Sequence, residues 1–371
     1  EIYPGDWSSD VCSSDLSILE SATGIDSYHR HIRKKQLILS GITILILLLI
    51  FISVNAGATK IGIWDTFQAF IGQGDEKGSL VFWKIRMPRV TAALVAGIGL
   101  AISGCVMQNT LRNPLASPST LGISGAAVFG ANIAIILLDV GNVLSTVNDA
   151  VAINNPYIVT ICAFASAMVA IIVILSLAKL RGFSPESIVL AGVALGSIFG
   201  AGTTLIQYFA TDIKIAAAIF WTFGDLGRAS WQEIGIMSVV VVISMMYFLF
   251  QRWNYNALAN GEETARGLGV NTDRVRFWGL FMSALITAVT VSFLGMISFI
   301  GLIAPQIMRR IIGEDHRFLI PASALAGVVV LFISDTIART WISPVVLPVG
   351  AITSLLGGPM FLYILMKGKL R

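Results

Sequence analysis

Stretches of about twenty apolar residues recur along this chain, each long enough to cross a hydrocarbon layer of about 30 Å as a helix. Lipid offers no partner to a backbone N–H or C=O. A chain built of such runs therefore satisfies its backbone internally, as helices. The runs lie near residues 37–56, 89–108, 119–138, 156–178, 187–209, 231–250, 277–297, 299–311, 318–337 and 346–366. Charged residues make up 12% of the chain and hydrophobic residues 56%, where a soluble domain carries about 25% charged residues. The expectation is an all-α polytopic membrane protein with about ten transmembrane helices in one bundle. The run at 299–311 is too short to span alone, and Gly295, Gly301 and Pro305 predict a break before and within it.

Lys and Arg set the orientation. The segment HRHIRKK at 29–35 precedes the first run and is expected to stay in the cytoplasm. Counting onward from there places seventeen of the 25 Lys and Arg residues inside and eight outside. Both termini are then cytoplasmic. Residues 1–16, EIYPGDWSSDVCSSDL, are polar and unlike the rest of the chain, and they read as a non-native leader from cloning or assembly. Residues 17–36 form a cytoplasmic N-terminal segment, and 37–371 the transmembrane domain.

Several chemistries lack their residues. There is no G-x-x-x-x-G-K-[ST] phosphate loop, so nucleotide binding of that kind is not expected of this chain. No HExxH, CxxC or G-x-S-x-G occurs, and the three His and three Cys are dispersed. A metal site and a catalytic set are both excluded on that pattern. Ionisable groups within the runs are scarce, with Asp335 and Glu233 near run ends. An ion-coupled carrier places such groups near the midplane in spite of their cost, about 2.5–3.5 kcal/mol each. The expected energy source for any transport is therefore another chain.

Three stretches stand out. The connection ISGCVMQNTLRNPLASPSTLGISGA (102–126) carries Gln108, Arg112, Asn113, Pro114, Leu115, Ala116, Pro118, Leu121 and Gly122. Its prolines end helices and Asn113 favours a turn. The loop of about 251–276 holds NALANGEETARGLGV. Here Ala257, Leu258, Ala265 and Leu268 predict an apolar stripe on a short helix, with Glu262, Glu263 and Arg266 opposite and Gly267 and Gly269 as stops. Either a solvated loop helix or a helix docking into a partner fits that pattern. In the fifth run, Gly192, Gly196 and Gly200 repeat every four residues, with Gly202 close by, which suits close helix packing or the wall of a pore. The stretch KIRMPRV (84–90) sets Arg86 and Arg89 around Pro88, with a helix expected to start there. Arg339 follows Asp335 by four residues, which allows an intrahelical ion pair.

The string Q-x3-R-N-P-L-A-x-P-x2-L-G, the loop A-L-A-x-G, and SFLGMISFIGLIAPQIMRR with LPVGAITSLLGGPM resemble the permease subunits of the iron-complex and cobalamin uptake family of type II ABC importers. The resemblance covers about residues 36–371. It implies a permease dimer, of identical or paralogous subunits, in the bacterial or archaeal plasma membrane. Two cytoplasmic ATPase subunits would bind the ATP and Mg, while this chain holds no cofactor and no nucleic acid. An extracytoplasmic binding protein would deliver the cargo. The cargo implied is a metal chelate, with a ferric siderophore as the first expectation and cobalamin or haem as alternatives. An ion-coupled secondary carrier is the alternative of another class. The resemblance assigns Arg86, Arg89 and Arg339 to docking of the binding protein. It assigns Asn256, Ala257, Leu258, Gly261, Glu262, Glu263, Ala265, Arg266, Gly267, Leu268 and Gly269 to coupling with the ATPase. Through the fifth and tenth runs it implies Gly192, Gly196, Gly200, Gly202, Gln207, Pro348 and Gly350 as pore lining.

Overall fold

A computed structural model describes residues 23–56, 63–72, 74–140, 156–180, 182–342 and 345–367. The expected leader, 1–16, lies outside the described residues. Every extended element among the described residues is a helix. The long apolar runs appear as α1 (Thr23–Asn55), α4 (Met87–Thr110), α5 (Ile123–Asn132), α6 (Pro156–Leu180), α7 (Pro185–Tyr208), α9 (Trp231–Phe250), α12 (Thr272–Leu294), α13 (Ile300–Ile312), α14 (His316–Thr340) and α15 (Val349–Lys367). Shorter helices join them: α2 (Ile63–Ile71), α3 (Glu76–Val81), α8 (Asp212–Thr222), α10 (Arg252–Ala259) and α11 (Glu262–Gly267). Among the described residues, seven helical stretches are long and apolar enough to cross a membrane, and those at 123–137 and 349–363 are shorter apolar helices. The break foreseen near residue 299 is present. Gly295 (φ 78) ends α12 and Phe299 (φ 68) precedes the 13-residue α13.

α4 is the central helix, 83% of its most apolar window being buried, whereas α7 lies at the edge with 11%. Small residues let neighbours close on α4. A Cβ on Gly104 would overlap the Gly301 carbonyl of α13, and one on Gly97 would lie 2.8 Å from the Val328 Cα of α14. Backbones that approach this closely gain dispersion contacts that lipid cannot replace. Buried hydroxyls return their hydrogen bonds to the chain, Ser103 to the Ser283 carbonyl at 2.8 Å and Thr110 to the Val106 carbonyl at 2.6 Å.

The entry into α4 differs from the expectation. No helix starts near residue 88. The helix begins at α3, capped where Asp75 accepts from the Gly78 N–H at 2.8 Å, and runs on through a wide π turn, Phe82–Arg86, into α4. Pro88 has no N–H for the carbonyl four residues earlier and its ring crowds that carbonyl, and a wider turn relieves both. Arg86 and Arg89 therefore sit within a 35-residue helix rather than at its start.

α8, unforeseen in the sequence, ends against the start of α15. Val349 donates to the Gly224 carbonyl at 2.8 Å, Asp225 donates to the Leu294 carbonyl at 2.9 Å, and Phe223 pairs with Met296.

Candidate functional site

Two polar sites lie at opposite ends of the bundle. The first gathers the last turn of α1, the first turns of α4 and the last turn of α14. Arg86, 5% exposed, donates to the Val54 carbonyl at 2.7 Å. Arg339 donates to the Ser53 carbonyl at 3.0 Å, the Ala56 carbonyl at 2.6 Å and Ser53 Oγ at 2.7 Å. Asp335 is fully buried and stands between two guanidinium groups, 2.8 Å from Arg89 Nε and 2.9 Å from Arg339 Nη2. Arg89 Nη2 also lies 3.2 Å from Asp225, whose side chain is 45% exposed.

Within the chain Arg86 and Arg339 are buried and Arg89 is largely so, because the end of α1 leaves carbonyls that need donors and Asp335 needs positive charge in the apolar interior. The ion pair weighed for Asp335 and Arg339 is present. The sequence reading missed Asp225, which no spacing connects to α4.

The second site is at the other end. Gln108 Nε2 donates to the carbonyls of Gly301 (3.3 Å) and Leu302 (3.2 Å), while its Oε1 accepts from Gln306 (3.1 Å) and Arg309 (3.3 Å). Gln306 also donates to the Pro114 carbonyl at 3.1 Å. The connection after α4 then turns through Arg112 (φ 47), an Asn113 side chain accepting from the Leu115 N–H at 2.9 Å, and Gly122 (φ 74). Ala116, Pro118 and Leu121 are buried along it, and Leu115 is exposed. The motif thus folds as a tight connection and also ties α4 to α13.

The loop of about 251–276 forms two short helices, α10 and α11, parted by Gly261 (φ 123), where a single helix was expected. Of the expected apolar stripe, Ala257, Leu258 and Ala265 face inward and are buried, and Leu268 stands 69% exposed. Three members of the stripe hold the segment to the bundle, and Leu268 stays on its exposed side. Gly267 is the last residue of α11, and Gly269 (φ 81) follows as the stop.

Hydrogen bonds fix the segment at both ends. Asn256 Oδ1 accepts from the His316 N–H at 2.8 Å and Asn256 Nδ2 donates to Asp315 at 3.0 Å. Burial disfavours the ionised Asp315, but hydrogen bonds from Arg317 and Asn256 outweigh it and hold the carboxyl at about 2. Glu262 accepts from Arg276 at 2.6 Å and from Arg266 at 2.7 Å, and the Arg276 hydrogen bond draws its pKa below the usual carboxylate range. Glu263 and Arg266 lie on the outer side as expected.

The candidates for pore lining separate. Gly192 and Gly196 pack on the Leu121–Gly122 turn and Gly202 on the Phe129 ring, whereas Gly200 faces open space. Gln207 donates to Asn132 at 2.9 Å. A Cβ on Gly350 would run into the Met296 carbonyl, and the Pro348 carbonyl accepts from Ala351 at 3.1 Å at the head of α15.

The chain matches the FecCD transport family over residues 45–367. It belongs to that family. A Methanocaldococcus jannaschii protein described as a "putative ABC transporter permease protein" is 54% identical over 335 residues, covering 90% of this FecCD chain and 95% of that one. The hemin transport system permease protein HmuU of Yersinia pestis is 33% identical, covering 90% and 96%. The vitamin B12 import system permease protein BtuC of Citrobacter koseri is 35% identical, covering 89% and 94%. Among solved structures, "an inward-facing conformation of a putative metal-chelate type ABC transporter" superposes with a TM-score of 0.75 at 26% identity, covering 90% of this chain and 99% of that one. The FecCD assignment agrees with the resemblance of the 102–126, 256–270 and 292–365 motifs.

Proposed function

We propose that this chain is the permease subunit of an ABC importer of the metal-chelate, siderophore, haem and cobalamin type. The observation that carries this reading is the FecCD match, which extends over nearly the whole helical bundle and includes the α10–α11 segment. The cargo proposed first is a ferric siderophore, with cobalamin and haem as the alternatives within the family. ATP and Mg would act on two separate ATPase subunits in the cytoplasm, and this chain would perform no hydrolysis itself.

The α10–α11 end would face the cytoplasm, with both termini on that side, in agreement with the Lys and Arg distribution. Leu268 and the outer charges Glu263 and Arg266 would meet the ATPase. The Arg86, Arg89 and Arg339 end would face outward, where a binding protein delivers cargo, and the three arginines would serve delivery by holding that rim in shape. A second permease would cover the exposed side of α7, with Gly200 on the pathway between the two.

The test is reconstitution in vesicles with an ATPase and a binding protein from the same organism. ATP-dependent uptake of ferric siderophore is the expected result. Uptake by this chain alone, driven by an ion gradient and indifferent to ATP, would refute the reading.

A further inference from the structure

Arg276 is the largest side chain wholly enclosed in the described structure, 1% exposed in the first turn of α12. Its three nitrogens reach three different connections. Nε donates to the Thr110 carbonyl at the end of α4 (3.3 Å), Nη1 to the Phe183 carbonyl in the turn from α6 to α7 (3.3 Å), and Nη2 to Glu262 at the start of α11 (2.6 Å). A guanidinium is planar and rigid, so these three partners are held at fixed offsets from one another. Filling space would need no charge here. The charge, once enclosed, needs the Glu262 carboxylate close at hand.

The turn that Arg276 holds is strained. Gly182 (φ 65) and Phe183 (φ 54) are both left-handed, and phenylalanine rarely occupies that region. Phe183 is kept there by burial, by an edge-on contact with Phe277 at 6.4 Å and by the bond from Arg276. Pro185 starts α7 two residues later, so this turn sets the angle at which α7 enters the bundle. α7 is the least buried of the long helices within the chain, so little of its own bundle resists a change of angle. Its inner half crosses the Leu121–Gly122 turn at Gly192 and Gly196. That turn belongs to the connection after α4, whose end Arg276 also holds. A cavity of about 510 Å³ beside the cluster, lined by Arg112, Ser184, Pro185, Glu186, Glu262 and Arg276, leaves room for these parts to shift.

We infer that Arg276 is a positioning residue that passes movement of α11 to the α6–α7 turn and so to α7. Displacement of α11 carries the Glu262 carboxylate with it. The guanidinium follows its counter-charge, loosens its hold on Phe183, and lets the strained turn relax. The inference rests on the ABC importer reading, in which α11 is the part that an ATPase moves.

The experiment uses the complete importer in lipid nanodiscs, with native cysteines replaced and spin labels placed through Thr264→Cys or Leu190→Cys. Both side chains are exposed within the chain. Distances across the dimer are measured by pulsed electron resonance without nucleotide and with ATP plus vanadate. In the parent protein both positions shift. With Arg276→Lys, which keeps a charge for Glu262 but lacks the fork to Thr110 and Phe183, the Thr264 shift persists. The population shifted at Leu190 then falls roughly tenfold, the scale expected when one member of a coupling network is lost. ATP hydrolysis continues while uptake per ATP drops.

An undiminished Leu190 shift in that variant overturns the inference. Should Arg276→Lys fail to assemble, Glu262→Gln decides on the same readout, a reduced Leu190 shift supporting the relay and an unchanged one overturning it. If the parent complex shows no nucleotide response at Thr264, the importer reading fails, and the relay fails with it.

Discussion

Arg89 Nε lies 2.8 Å from Asp335 Oδ1, joining α4 to α14 across 246 residues of sequence. The contact explains how an aspartate can be wholly enclosed in an apolar bundle. Two guanidinium groups share it, and the second of them, Arg339, also closes the exposed carbonyls of α1. Replacing Asp335 with Asn leaves Arg339 without its counter-charge and Arg89 with only the half-exposed Asp225. Removing one partner of a buried pair costs about 3–5 kcal/mol. Thermal unfolding of the detergent-solubilised chain checks this, and Asp335→Asn is expected to melt well below the parent. Asp225→Asn is expected to have a far smaller effect, because Asp225 is half-exposed.

Glycines in this bundle are predicted to differ by position. Gly104→Ala places a methyl group on the Gly301 carbonyl and forces α4 and α13 apart. Overpacking of this kind costs about 1–3 kcal/mol. Gly200→Ala meets no neighbour within 4 Å and is expected to leave the melting temperature unchanged. Gly200→Trp would then test the pathway, since it is expected to fold but to slow uptake.

Stability is predicted to fall in acid as Asp315 takes up a proton. Its pKa is lowered from 3.8 to about 2 in the folded chain. A depressed carboxylate stabilises the fold fully above the higher value, and that stabilisation is lost as pH falls through the lower. The Asp315 contribution is therefore constant from neutral pH to about 4 and declines between about 4 and 2. Asp315 also caps α14 by accepting from the Arg317 N–H at 3.0 Å. Asp315→Ala should cost about 1–2 kcal/mol at neutral pH, the usual loss for a cap. The difference between parent and variant should narrow in acid, as denaturation followed by circular dichroism would show.

Leu268 is predicted to carry much of the grip on the ATPase. A leucine fully buried at a contact contributes about 1.5–3 kcal/mol. Leu268→Asp is therefore expected to weaken ATPase association more than tenfold, as measured by co-purification at graded detergent. The fold should be unaffected, since the side chain is 69% exposed.

The helices were legible in the sequence because lipid leaves a chain little choice, and each apolar run became one. The coupling motif could be placed, but its facing could not. Leu258 and Leu268 look alike in a string of letters, and which is buried depends on Gly261, whose φ of 123 breaks the helix between them. The inward facing of the arginines was legible only in part. The spacing of Asp335 and Arg339 allowed their ion pair, but the α1 carbonyls that Arg86 and Arg339 also reach leave no side-chain pattern. Arg276 did carry a signal that went unread. It falls on the same face of α12 as Gly279, Leu280, Ser283 and Thr287, all of them buried, and a cation in that register points inward.

The wide turn at Phe82–Arg86 has a consequence for how this chain can vary. Such a turn holds one residue more than the α register requires. The wider spacing absorbs that extra residue, so the five residues of the turn rotate the chain about as far as four in ordinary helix. Deleting one of them would restore ordinary helix and leave α3, with its Asp75 cap, on nearly the same side of α4. A one-codon loss there is taken up locally, with little change of surface.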